Sequence, residues 1–195
     1  MEIVSGAEIL DLSLYLKKYK ILVLSDFHIG YEESLNKQGV FIPRFQFEEI
    51  LSRLEKILNG LEIKKIVILG DLKHEFGTIS ETEWRNALKL LDFLSNYCKD
   101  ILLIKGNHDT LLGPIAAKRN IKVKRSFKVG DFFLCHGDKI QKSIDSKVIV
   151  IGHEHPAVGL KKDSRVETYK CFLKGSWEGK TLVVMPSFNL VTEGT

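Results

Sequence analysis

The chain has 195 residues, of which 44% are hydrophobic and 28% charged, and its formal net charge is +4. This length suits one domain with a sizeable core, so we expect a single domain over residues 1–195 and exclude a disordered chain. No apolar run approaches the roughly 18 residues of a membrane-spanning helix. The three cysteines show no C-x-x-C pair, which argues against a disulfide framework. We expect a cytoplasmic protein with free thiols and no signal peptide.

The first two thirds of the chain alternate between predicted strands and helices. Five runs of four apolar residues, with almost no alternation, are typical of strands buried on both faces. They are residues 21–24, 66–69, 101–104, 132–135 and 148–151. Apolar residues at helical spacing predict helices over 45–58 and 81–97, and a shorter one over 111–119. Ser80 and Glu83 form a capping-box pattern at the start of the second helix.

The last third of the chain favours strands alone. Residues 122–128 and 132–135 predict a hairpin around a Gly130-Asp131 turn, and residues 165–174 and 181–185 predict two further strands around a turn region at 175–179. Alternating strands and helices followed by strands indicate an α/β fold. We expect two packed mixed β-sheets flanked by helices.

Every one of the five apolar runs is followed at once by a polar cluster. The clusters contain Asp26 and His28; Asp71 and His74; Asn107, His108 and Asp109; His136; and His153 and His155. Ligands of open α/β sheets bind beyond the carboxyl ends of the strands. Neighbouring strand ends would therefore gather the clusters into one site.

This set of side chains predicts a metal centre. It holds too many ligands for one four-coordinate zinc and suits two adjacent divalent ions that share a carboxylate. Imidazole and carboxylate ligands together favour manganese, iron, zinc or nickel over calcium or magnesium. We expect two divalent ions, and the ligands alone leave the choice among manganese, iron, zinc and nickel open. Cys135 precedes His136 within an apolar run, which favours a packed thiol over a nucleophile.

The five clusters, in this order and spacing, resemble the motifs of the calcineurin-like metallophosphoesterases. The motifs are Asp26-x-His28, Gly70-Asp71, Gly106-Asn107-His108-Asp109, His136 and Gly152-His153-x-His155. The resemblance covers residues 26–155 and implies the family's four-layer α/β/β/α sandwich. It also implies that Asp26, His28 and His155 hold the first metal, Asn107, His136 and His153 the second, and Asp71 both. His108 is then the catalytic residue that acts on the substrate.

Three nearby residues keep two interpretations each. Asp109 either orients His108 or caps the helix that follows. His74 lies three residues after Asp71 and has either a supporting role or a direct substrate contact. Arg44 either pairs with a phosphate or is solvated before its helix.

The expected reaction is the hydrolysis of a phosphodiester or a phosphomonoester by metal-activated water. Two cations clamp phosphate oxygens, and an unligated His108 supplies a proton or a positive partner to the leaving alkoxide. The segment Gly70-Asp71-Leu72-Lys73-His74 resembles an archaeal and bacterial branch that includes phosphoesterases associated with DNA ligase genes. This branch favours a nucleotide or nucleic-acid substrate and a DNA-processing partner. The alternatives are a non-catalytic scaffold and a nuclease module that needs its partner.

Overall fold

A computed structural model describes residues 1–43, 45–75, 79–139, 143–163, 165–192 and 194–195. Its first sheet has seven strands in the order of the chain. They are β1 (Glu2–Val4), β2 (Ala7–Leu10), β3 (Ser13–Leu16), β4 (Ile21–Leu24), β5 (Lys65–Leu69), β6 (Ile101–Ile104) and β7 (Lys122–Lys124). Strands β1 to β4 pair antiparallel, and β4 to β7 pair parallel. The carboxyl ends of β4, β5 and β6 therefore meet at one edge.

The second sheet has five strands in the order β13-β14-β10-β9-β8. The remaining strands of the chain are β8 (Ser126–Val129), β9 (Phe132–Cys135), β10 (Val148–Ile151), β11 (Ala157–Lys162), β12 (Arg165–Lys170), β13 (Leu173–Trp177) and β14 (Lys180–Val184). Strand β10 is parallel to both β9 and β14, and the outer pairs are antiparallel. Strands β11 and β12 form a separate two-stranded ribbon.

Four α-helices connect or flank these strands in the described part of the chain. They are α1 (Tyr31–Lys37), α2 (Gln46–Leu58), α3 (Glu81–Tyr97) and α4 (Leu112–Ala117). The prediction for α3 is confirmed at both ends, α2 begins one residue later than predicted, and α4 is shorter than the predicted 111–119. The Ser80 hydroxyl accepts a hydrogen bond from the backbone of Glu83 and caps α3.

Two hydrophobic clusters lie on the two faces of the first sheet. Leu22, Ile66 and Leu103 point into one cluster together with apolar residues of α2, α3 and α4. Val23 and Val67 point into the other, which also contains the inner face of the second sheet. The predicted double-sided burial of these strands is confirmed, and so is the fold class of two packed mixed sheets with helices.

Two strand predictions were wrong in their bounds. Residues 122–128 are not one strand, because β7 pairs with the first sheet and β8 with the second, and the chain crosses between the sheets at Arg125. Residues 165–174 are also divided, since β12 belongs to the ribbon and β13 to the second sheet. Gly175 lies inside β13 rather than in a turn. The three N-terminal strands and β11 were not predicted.

Among the described residues, no helix combines the length and the apolar character that crossing a bilayer requires.

The cap of α3 gives a first test of the fold. We expect Ser80→Ala to lower the free energy of unfolding by about 1 kcal/mol, because the orphan N–H of Glu83 loses its acceptor. Urea denaturation measures the change. Ser95→Ala in the last turns of the same helix is the control, since among the described residues that hydroxyl makes one hydrogen bond, to the exposed carbonyl of Asp92. Equal losses in the two variants would contradict the capping role.

Candidate metal centre

The clusters that follow β4, β5, β6, β9 and β10 come together at one edge of the two packed sheets. Their approach leaves no room for side chains at the glycines between them. A Cβ on Gly70 would lie 2.5 Å from Nδ1 of His136 and 2.8 Å from Cα of Gly106. Gly70 also has a φ of +88°, which favours glycine. The backbones of the second and third motifs can therefore pack against each other and against the ring of His136.

Most of the predicted metal ligands have a left-handed backbone. The φ angles are 54° at Asp26, 45° at His28, 47° at Asp71, 65° at His153 and 45° at His155. Such angles are uncommon for residues other than glycine and cost free energy, so the surrounding structure must impose them. Their concentration in one loop cluster is typical of a functional site.

The first ligand group contains Asp26, His28 and His155. The two Nε2 atoms of His28 and His155 are 3.3 Å apart, and Nε2 of His155 is 3.4 Å from Oδ1 of Asp26. Ligand atoms that share an ion at about 2.1 Å lie about 3.0–3.4 Å apart, so these spacings suit a common cation. Oδ1 of Asp26 is buried, and no described residue donates a hydrogen bond to it. Its other oxygen accepts from the backbone of His153.

The second group contains Asn107, Asp71, His136 and His153. Nε2 of His136 lies 2.9 Å from Oδ1 of Asn107 and 3.2 Å from Nδ1 of His153. Nδ1 of His136 donates to the carbonyl of Leu69 at 2.7 Å. That bond fixes the ring orientation and directs Nε2 to the other ligands.

Asp71 lies between the two groups. Its Oδ2 is 3.7 Å from Nε2 of His28 and 3.4 Å from Nε2 of His136. Its Oδ1 accepts from the backbone of His108 at 2.9 Å, which holds the carboxylate in place. The arrangement of these residues therefore fits two cations with one carboxylate in common.

Burial and charge shift the pKa values in this cluster in opposite directions. Burial lowers the pKa of His28 to about 3. At Asp71, burial is outweighed by the hydrogen bond and charge of His136, and the pKa falls to about 2. His136 is buried too, but Asp71 and Asp26 raise its pKa to about 9. The metal-free site thus holds one proton where a cation would bind.

The catalytic candidate His108 lies beside this cluster. Its Nδ1 is 2.5 Å from the carbonyl of His74, and its Nε2 is 3.9 Å from Oδ2 of Asp71. A carbonyl can only accept, so Nδ1 carries a proton and Nε2 faces the ligand cluster. The carboxylate of Asp109 is buried and accepts from the backbones of Leu72 and Gly106. Asp109 thus braces two motif loops, and α4 starts after Leu111 without a side-chain cap.

The ring of His74 lies directly beside the site. It packs against Tyr31 in a tilted arrangement, at 4.2 Å between centroids, and stacks on His108 at 5.4 Å. Its ligand atoms and those of His28 and His108 lie within 4.8 Å of one another. Tyr31 was missed, because a tyrosine at the start of a helix gives no signal of its own. Arg44 lies outside the described residues.

Two further residues near the cluster have supporting or inert roles. Asn189, which was also missed, is fully buried and donates to the carbonyl of Phe27 at 3.1 Å. Burial raises the pKa of the Cys135 thiol to about 11, which agrees with a packed thiol rather than a nucleophile.

The family model for calcineurin-like phosphoesterases matches residues 19–168 of this chain. The chain belongs to the calcineurin-like phosphoesterases. The match includes all five motifs and all nine predicted site residues. Membership in this family and the two ligand groups support a metal-dependent phosphoester hydrolase.

Solved structures are similar to this phosphoesterase in fold. A nuclease named MPE from Pseudomonas putida has 23% sequence identity and a TM-score of 0.75, over 100% of this chain and 88% of that one. A protein of unknown function from Aquifex aeolicus has 18% identity and a TM-score of 0.45, over 69% and 78% of the two chains. A single mutant of Vps29 from Entamoeba histolytica has 16% identity and a TM-score of 0.44, over 86% and 73%. No curated protein is similar enough to count as a significant match.

The raised pKa of His136 predicts how metal binding depends on pH. A cation needs the unprotonated Nε2, so binding must displace the proton that the metal-free site holds below about pH 9. We expect the dissociation constant for Mn²⁺ to fall about tenfold from about pH 7 to about pH 8, with release of about one proton. Calorimetry in buffers of different ionisation enthalpy measures both quantities.

The same linkage has a consequence for the metal-free protein. Because the folded pKa of His136 exceeds the ordinary 6.5, its contribution to stability is present below pH 6.5 and is lost towards about pH 9.

For the prediction on metal binding, the variant His136→Asn is the control, and it should bind Mn²⁺ weakly without this proton release. Equal affinity at both pH values with no proton released would contradict the assignment.

Proposed function

We propose that this chain is a binuclear metal-dependent hydrolase that cleaves phosphodiester bonds in nucleotides or nucleic acid. The observation that carries the proposal is the position of Asp71, whose Oδ2 lies 3.7 Å from one histidine group and 3.4 Å from the other. A single structural ion would need only one of the two groups.

Seven side chains would hold the ions. Asp26, His28 and His155 bind the first, Asn107, His136 and His153 the second, and Asp71 both. Ions bound there supply Lewis acidity towards phosphate oxygens and lower the pKa of water to the range in which it attacks phosphorus. Manganese is the expected ion, with iron, zinc or nickel as alternatives.

His108 supplies the proton chemistry of this proposal. Its Nδ1 is engaged by the carbonyl of His74, so Nε2 is the atom that faces the reacting groups. With a proton on Nε2, the ring donates to the leaving oxygen as its bond to phosphorus breaks. The neutral amide of Asn107 adds a ligand without adding negative charge to a site that must accept an anionic ester.

Several features favour a nucleic-acid or nucleotide diester over other phosphate esters. Tyr169 and Trp177 are 49% and 41% exposed on β12 and β13, and the basic residues Lys161 and Lys174 are exposed on β11 and β13. The ribbon that carries Tyr169 begins two residues after His155. Aromatic and basic side chains together are typical of surfaces that bind single strands. The similar fold of a bacterial nuclease and the branch resemblance of residues 70–74 support the same choice.

The proposal extends to the cellular compartment of the protein and to a protein partner. The described cysteines are free, which suits the reducing cytoplasm. A DNA-processing partner fits the branch resemblance, and a nuclease module that depended on it would hydrolyse simple esters poorly. A non-catalytic scaffold would purify with less than one metal ion per chain.

A hydrolysis assay tests the proposal. The protein is stripped of metal, reloaded with Mn²⁺ and given bis-p-nitrophenyl phosphate, p-nitrophenyl phosphate and single-stranded DNA. We expect diester turnover that requires metal. His108→Ala should lower kcat for single-stranded DNA by about 10²–10⁴ and for the nitrophenyl esters much less, and Asp71→Ala should abolish metal-dependent turnover. Asp131→Ala is the control, because that carboxylate is exposed and pairs only with Lys147 among the described residues.

The proposal fails if no ester is hydrolysed with Mn²⁺, or if Asp71→Ala remains as active as Asp131→Ala. Preference for p-nitrophenyl phosphate over both diesters would retain the metal chemistry and contradict the diester assignment.

A further inference from the structure

Glu83 is a buried carboxylate that belongs to none of the motifs. It lies in the first turn of α3, and its side chain has no solvent exposure. Burial raises its pKa, and backbone hydrogen bonds from Glu75 and His74 act against this shift. A carboxylate is costly to bury unless it is hydrogen-bonded, so its partners show what it stabilises.

These partners belong to the loop that follows Asp71. Oε1 of Glu83 accepts from the backbone N–H of His74 at 2.8 Å and from that of Glu75 at 3.0 Å. The ammonium of Lys73 is fully buried and donates to the carbonyl of Glu75. Residues 73–75 are therefore held by one buried anion and one buried cation.

The loop transmits this restraint to His108. The carbonyl of His74 accepts the hydrogen bond from Nδ1 of His108, and Glu83 binds the N–H of the same residue. A shift of the His74 backbone would therefore break the contact that sets the tautomer and direction of the His108 ring.

Glu83 also contacts the loop of the first motif. A Cβ on Gly30 would lie 3.0 Å from Cγ of Glu83, so the glycine allows this close approach. The carbonyl of Ile29 accepts from the backbone of His74 at 3.0 Å. The side chain of Glu83 thus fills the space beneath two motif loops.

We propose that Glu83 is the positioning residue for His108, acting through the backbone of His74. The inference rests on the proposed function, since it assumes that His108 gives a proton to the leaving group. The described hydrogen bonds of the Glu83 carboxylate go to backbone N–H groups rather than to a predicted metal ligand. Its role is to keep Nε2 of His108 directed at the leaving oxygen.

This role predicts a loss that depends on the leaving group. A p-nitrophenolate leaves with little help from an acid, whereas a nucleoside alkoxide needs a proton. Misplacing His108 should therefore slow alkoxide release much more than nitrophenolate release. General destabilisation of the protein would slow both equally.

The test compares thymidine 5′-p-nitrophenyl phosphate with the dinucleotide TpT in the Mn²⁺-loaded protein. We expect Glu83→Leu to lower kcat for TpT about tenfold more than kcat for the nitrophenyl ester, with little change in KM. Glu83→Gln should restore most of the TpT activity, because its amide oxygen can accept the same two N–H bonds. His108→Ala sets the full size of the leaving-group effect.

A matched control separates positioning from packing. Leu91 is fully buried in the same helix and packs in the hydrophobic cluster, so Leu91→Ala weakens α3 without touching residues 73–75. We expect this variant to lower the melting temperature but to slow both esters equally. If Glu83→Leu also slows both equally, the proposal is overturned. If Glu83→Leu does not fold, Glu83→Asp, whose shorter side chain cannot reach both N–H groups, takes its place.

A spectroscopic readout keeps the inference distinct from the proposed function. In zinc-loaded, ¹⁵N-histidine-labelled protein, the Nδ1–H of His108 should show the hydrogen bond to the carbonyl of His74, and Glu83→Leu should shift this resonance while Leu91→Ala should not. An unchanged resonance in Glu83→Leu overturns the positioning role. If His108→Ala shows no leaving-group effect, the acid role in the proposed function fails, and the shift alone decides whether Glu83 orients the ring.

Discussion

The rest of the site depends on the crowding of histidine ring nitrogens around the buried carboxylate of Asp71. Imidazole nitrogens from His28 and His136 point at one buried oxygen, and other ring nitrogens lie only 3.2 Å and 3.3 Å from them. Burial lowers the pKa of His28 to about 3; it also disfavours charge on His136, but Asp71 and Asp26 raise that pKa to about 9. Two cations would satisfy all of these atoms at once.

The fold meets this constraint with rigid strands and permissive turns. Parallel strands deliver the ligand loops to one edge, where the loops after β4, β5 and β10 turn through residues in a left-handed conformation. The glycines at 70 and 106 remove the side chains that would separate the loops. Buried polar residues outside the ligand set then hold the loops by their backbones: Asp109 braces the second and third motifs, and Asn189 the first. The hydrogen bonds of Asp109 and Asn189 to the loop backbones thus offset the backbone strain at the ligand residues.

Much of this site could be predicted from the sequence. The apolar runs predict the buried strands, and the polar clusters that follow them predict the ligands at the strand ends. The structure brings all nine predicted site residues together at the strand ends. The supporting residues could not be predicted, since Glu83 looks like an ordinary helix cap and acts through the distant backbone of His74. The N-terminal strands were missed because each has only three or four residues, and Glu2, Glu8 and Ser13 interrupt their apolar pattern. The crossing at Arg125 was missed because β7 joins the first sheet and β8 the second, and the local sequence pattern does not show which sheet a strand joins.

In the proposed site, two metal ions share the carboxylate of Asp71. A crystal of the Mn²⁺-loaded protein, measured at the manganese absorption edge, shows whether both are present. Two anomalous peaks are expected about 3.5–4 Å apart, one among Asp26, His28 and His155 and the other among Asn107, His136 and His153, both in contact with Asp71. A single peak, or peaks that leave Asp71 without a metal contact, would contradict the proposed site.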